Sequence, residues 1–122
     1  MPIVLNHTIV PAKDKVASAE FFARMMGLKY EGVHGCHAPV RVTDALTMLF
    51  AENDHLAHHH YAFCVSEEEF DAIFGRIEAE GLKYGSGPGP ARYDMSINHR
   101  KDGRGVYFDD PNGHSYKLLT VA

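Results

Sequence analysis

Apolar positions along this chain recur at two spacings, and the spacing switches in the same order twice. Val16, Phe22, Met25 and Met26 fall at helical intervals. Asp14 precedes them as a capping residue, and Gly27, which tolerates the left-handed conformation, ends the stretch. Phe70, Ile73, Phe74 and Ile77 repeat the pattern behind Ser66 and Glu69, which are spaced as a capping box, and Gly81 supplies the second left-handed stop. Residues 40–42, 45–50, 94–98, 106–108 and 115–121 are short, alternating or apolar, and bounded by turn formers, so they predict strands. Thr43-Asp44, Lys101-Asp102-Gly103 and Pro111-Asn112-Gly113 mark turns. Residues 85–90, Gly-Ser-Gly-Pro-Gly-Pro, suit neither regular element and predict a mobile loop, a candidate lid.

The order of elements is itself repeated. Gly27, Leu28, Lys29 and Tyr30 recur identically as Gly81, Leu82, Lys83 and Tyr84, 54 positions later. Each copy follows a helix, and each helix follows a strand-like run that contains a histidine: His7 within residues 5–10, His60 within residues 59–65. Each half therefore reads strand–helix–strand–strand–strand. One such module cannot bury both its helix and its sheet, so two must combine. The expectation is an α+β fold: a single domain, residues 1–122, of two βαβββ modules at about 1–53 and 58–122, joined by residues 52–57.

Composition narrows the function. The chain has 122 residues, 45% apolar and 23% charged, with a net charge of −4. That mild acidity argues against a partner bound through nucleic-acid phosphates. No apolar run approaches the roughly 20 residues of a membrane span, and the first residues lack a basic leader, so neither membrane insertion nor export is expected. Cys36 and Cys64 form no CxxC pair and fit reduced thiols in the cytoplasm. Nine histidines invite a metal hypothesis.

The most specific segment is Gly105-Val-Tyr-Phe-Asp-Asp-Pro-Asn-Gly-His-Ser-Tyr-Lys-Leu118. With His7, the Phe21-Phe22…Gly27-Leu28 helix end and His60-Tyr-Ala-Phe63, it resembles the vicinal oxygen chelate superfamily. That superfamily contains glyoxalase I, extradiol dioxygenases and the fosfomycin and bleomycin resistance proteins. The resemblance implies paired βαβββ modules with curled mixed sheets around a central cavity, and a homodimer. It also implies a divalent ion (Fe, Zn, Ni or Mn) held by His7, His60 and a glutamate four residues after Gly113.

That fourth position is Lys117. A protonated lysine would oppose a dication by on the order of several kcal/mol at short range, so the resemblance implies an incomplete site. Thr47 and Met48 stand where some relatives place a carboxylate or amide. His114 is close in sequence, but strand alternation turns it away from Lys117. His55, His58 and His59 read as exposed linker residues, His34 and His37 as flanks of a turn, His99 as a neighbour of a polar turn, and Cys64 as a small buried apolar group.

Lys117 has three readings: an extended side chain at the cavity mouth, an anion-binding group, or a base or nucleophile once desolvated. Tyr107 is placed to hydrogen-bond a ligand. The leading functional expectation is a small-molecule-binding protein whose ligand sits in the cavity between modules. The alternative is a metal-dependent lyase or dioxygenase chelating vicinal oxygens through an ion on His7 and His60. A third is metal-free acid–base chemistry by Lys117 with a histidine.

Overall fold

The computed structural model describes residues 3–89, 91 and 93–122. Pro90, the last residue of the Gly/Pro-rich loop, lies outside them. Two compact units divide at Ala57 and His58.

Unit 1 runs β1 (His7–Ala12), α1 (Lys15–Met26), β2 (Ala38–Arg41) and β3 (Thr47–Glu52). Asp14 caps α1 by accepting from the Ala17 N–H at 3.0 Å, and Gly27 closes it at φ 71°. The sheet order is β1-β3-β2, with β1 parallel and β2 antiparallel to β3. Val10, Ala38, Val40, Met48 and Phe50 are buried together with Phe22 and Met25 of α1, and the Phe22 and Phe50 rings lie 5.7 Å apart. Each fully buried large side chain contributes about 1.5–3 kcal/mol. By register, His7 pairs with Thr47 and Ile9 with Leu49, on the opposite face of the sheet.

Unit 2 runs β4 (His60–Cys64), α2 (Glu67–Ala79), β5 (Tyr84–Gly85), β6 (Gly105–Asp109) and β7 (Ser115–Leu119). Ser66 and Glu69 form the expected capping box, and Gly81 takes φ 67°. The order is β4-β7-β6-β5, with β4 and β7 parallel and the others antiparallel. Phe108, Tyr116 and Leu118 face α2, whose Phe70, Ile73 and Ile77 are buried. Phe74 of α2 meets Tyr84 edge-on at 5.0 Å. Arg104, just before β6, is tied to α2 by Glu67 and Asp71, each at 2.8 Å, and lies over Phe70.

The fold is thus mixed α+β, as expected, with no closed barrel among the described residues. Three details differ from the sequence reading. Among its described residues unit 1 has three strands rather than four, because residues 28–33 form no ladder and the hairpin beyond them makes only the His34–His37 bridge. Residues 94–98 are not a strand. Asp94 accepts from the N–H and hydroxyl groups of Ser86 and Ser96, forming local turns with Met95 at φ 61°, so only Asn98 bridges to Gly105. Cys64 is exposed, because β4 is an edge strand and Cys64 sits on its face away from α2. No helix among the described residues is long and apolar enough to cross a membrane.

Candidate functional site

The face of the unit 2 sheet turned away from α2 collects the polar side chains. Register places His60, Ser115 and Asp109 in one row, and Ala62, Lys117, Tyr107 and Gly85 in the next. Lys117 Nζ stands 5.3 Å from the centroid of the Tyr107 ring, and the His60 ring lies 5.9 Å from the same ring. The Arg100 guanidinium donates to the Tyr107 hydroxyl at 3.3 Å. His60, Tyr107 and Lys117, all singled out in the sequence, are therefore neighbours. Tyr107 is the buried centre of the group, at 4% exposure.

The β6–β7 turn holds this arrangement in register. Asp110, buried in the turn, accepts from the backbone N–H groups of Asn112 and His114, each at 2.9 Å. Its second oxygen accepts from the Asn112 amide at 3.2 Å and the Tyr116 hydroxyl at 3.4 Å. Gly113 takes φ +85°, and a Cβ there would lie 2.9 Å from His58 Nε2. His114 is fully buried. Its Nδ1 accepts from the His59 N–H at 3.0 Å, which assigns the ring proton to Nε2. As expected, His114 packs with Tyr61, on the face opposite Lys117. Burial and then the Asp110 charge raise the pKa of both Tyr61 and Tyr116.

Sequence reasoning did not single out Arg100, Asp109, Asn98 or Tyr93. Tyr93 donates to Asp109 at 2.6 Å. Burial first, then that bond, push the Tyr93 pKa well above its usual value. Ser115 Oγ is buried with no hydrogen bond of its own among the described residues, yet lies near enough to Tyr93 to oppose that rise. The spacing of Asp109 two residues after Tyr107 was a legible signal that they share a face. Arg100 sits in a 3-10 turn, where no periodicity marks it.

The donor set does not fit the three-ligand ion of the family pattern. His7 is exposed, and its Nδ1 donates to Asn6 at 2.8 Å, leaving Nε2 available. Thr47 shares its face, whereas Met48 is buried towards α1, so the strands of unit 1 add no carboxylate beside His7. In unit 2, Asp109 is the one carboxylate on the His60 face of the strands, and it is engaged by Tyr93. Lys117, in the next row, adds a cationic side chain beside Tyr107. Among the described residues no group of three or more His, Cys, Asp or Glu could hold a metal ion.

Comparison with known proteins agrees with this architecture. The oxidase ChaP-H2 superposes with a TM-score of 0.92 and 43% identity, over 100% of this chain and 96% of its own. Glutathione transferase FosA of Serratia marcescens is 25% identical over 121 residues, 93% of this chain and 78% of that protein. Metallothiol transferase FosB of Lysinibacillus sphaericus (strain C3-41) is 26% identical over 122 residues, 95% of this chain and 81% of that protein. The family profile of the Glyoxalase/Bleomycin resistance protein/Dioxygenase superfamily matches residues 4–118, so this chain belongs to that family, part of the vicinal oxygen chelate superfamily.

Proposed function

We propose that this chain binds a small organic molecule against the β4–β7–β6 face, with Lys117 standing where metal-holding relatives carry glutamate. The observation that carries this reading is the grouping of His60, Tyr107 and Lys117 around one buried phenol. Lys117 would orient and stabilise a negatively polarised oxygen of the ligand. Tyr107, which accepts from Arg100, keeps its own O–H to donate. His60, exposed on the edge strand, can take up or return a proton. On the same reading, residues 1–122 act as one cytoplasmic domain and pair as a homodimer. The free thiols of Cys36 and Cys64 agree with a reducing compartment.

A second reading is metal-dependent oxidation or lyase chemistry, with His7 and His60 holding the ion. It is favoured by the 43% identity to the oxidase ChaP-H2 along its whole length. The lysine at the third position gives no route for such a step through this donor set. Metal content of untagged protein, measured beside His60→Ala and Lys117→Glu, separates the readings. The binding reading expects no stoichiometric ion in the wild type. It expects Lys117→Glu to gain one, and that gain to vanish when His60→Ala is added. A stoichiometric wild-type ion lost in His60→Ala, together with oxygen uptake on a bound phenolic compound, would overturn it in favour of the second.

A further inference from the structure

We infer that the ligand bound at this face carries an oxyanion, a carboxylate or a phosphate, that seats between Arg100 and Lys117. This deepens the binding reading above and rests on it. Unit 2 contains a pocket of about 200 Å³ whose lining includes Asn98, Arg100, Lys101, Arg104 and Lys117, with Leu119 and Val121 as apolar wall. Among the described residues of the lining, four side chains are cationic and none is a carboxylate.

The four cations are not equivalent. Arg104 is neutralised by Glu67 and Asp71, and Lys101 Nζ donates to the Ala122 carbonyl oxygen at 3.0 Å. Arg100 and Lys117 have no carboxylate partner among the described residues. Their contacts are with Tyr107, one to its hydroxyl and the other over its ring. Two cations converging on a neutral phenol repel each other unless an anion joins them. The guanidinium matches an oxyanion in bidentate fashion, the ammonium adds a point charge, and the Asn98 amide is a further polar group in the lining. The volume lies below the roughly 300–1,000 Å³ of drug-sized sites, so the acid is fragment-sized, with a short apolar body along Leu119 and Val121.

The probes are benzoate, phenyl phosphate and the neutral isostere benzamide, titrated into the full chain and followed by amide NMR shifts. At least one oxyanion is expected to bind with shifts centred on residues 98–119, more tightly than benzamide by about tenfold or more, and more weakly as salt rises. A charge-assisted hydrogen bond is worth about 1.5–3 kcal/mol, so Arg100→Gln and Lys117→Gln should each weaken it by about 10–100-fold. Arg100 is exposed, so its variant keeps the fold, and circular dichroism checks the Lys117 variant. Preference for benzoate or for phenyl phosphate tells the two oxyanion sources apart. Equal binding of benzamide, or oxyanion binding unchanged in both variants, overturns the oxyanion inference while the small-molecule reading stands. If no probe shifts those resonances at millimolar concentration, the oxyanion inference fails, and the metal measurements decide the other reading separately.

Discussion

Replacing Asp110 by alanine should cost this protein about 3–5 kcal/mol. The carboxylate is 6% exposed and accepts four hydrogen bonds, two of them from backbone N–H groups at 2.9 Å. Those donors belong to Asn112, at 6% exposure, and His114, at 0%, so water cannot readily replace the lost acceptor. A hydrogen bond to a charged group is worth about 1.5–3 kcal/mol, and an orphaned buried donor costs about 1–3 kcal/mol. The contacts at 3.2 and 3.4 Å are long and add little. The two short bonds alone therefore give roughly 3–5 kcal/mol, a large part of the ~5–15 kcal/mol that stabilises a domain. Asp110→Asn keeps an acceptor for both N–H groups and should lose only about 1–2 kcal/mol. Urea unfolding followed by circular dichroism measures both variants, with an unchanged slope expected. A second readout is ultraviolet titration: without the Asp110 charge, Tyr61 and Tyr116 should ionise closer to pH 10, though burial keeps them above it. An Asp110→Ala variant within about 1 kcal/mol of the wild type would refute the claim that this turn holds β6 and β7 in register.

Three further outcomes are expected. Glu69 has a lowered pKa because the Ser66 backbone N–H, then its hydroxyl, favour the carboxylate. Its stabilisation is therefore present above pH 4.5 and lost as pH falls below it, and the Glu69→Gln deficit in urea should shrink over that window. Tyr93 has the opposite sign. Its raised pKa gives stability that is complete below pH 10 and declines above it, so Tyr93→Phe should flatten the alkaline fall in unfolding midpoint. Gly113→Ala forces an L residue to φ +85° with its Cβ 2.9 Å from His58 Nε2, and should cost about 1–2 kcal/mol or more by urea titration, whereas Gly75→Ala, with open space around its Cβ position, should not destabilise.

Much of the fold was legible because its signals are local. Asp14, Ser66 with Glu69, and the left-handed Gly27 and Gly81 announce the two helices through groups within a few residues of the bonds they make. The turn Pro111-Asn112-Gly113 and the alternation in β6 and β7 carry the strands and put Lys117 beside Tyr107. What failed depends on distant context. The tetrapeptide Gly-Leu-Lys-Tyr enters a strand in its second copy, where Tyr84 pairs with Phe108, and forms none in its first. Identical residues give different structure because only one copy finds a ladder partner. Residues 94–98 looked like a strand until the Asp94 carboxylate took the local N–H groups. Arg100 joined the site through a short turn with a left-handed Lys101, which no apolar period could announce.

In both units the strand that comes last in the chain lies inside the sheet: β3 between β1 and β2, and β7 between β4 and β6. This order governs synthesis. While the second unit is being made, β4 has no partner, and the His59 N–H waits for an acceptor 55 positions further on. The antiparallel pair of β5 and β6 can form first, but it exposes an unpaired edge until residues 115–119 arrive. In each unit the inner strand is therefore the last to be made, and in the second unit the loop entropy of bringing β7 to β4 must be overcome before any ladder bond to β4 forms. Chains stalled or cut before Ser115 would present two open strand edges, the species most prone to pair with one another.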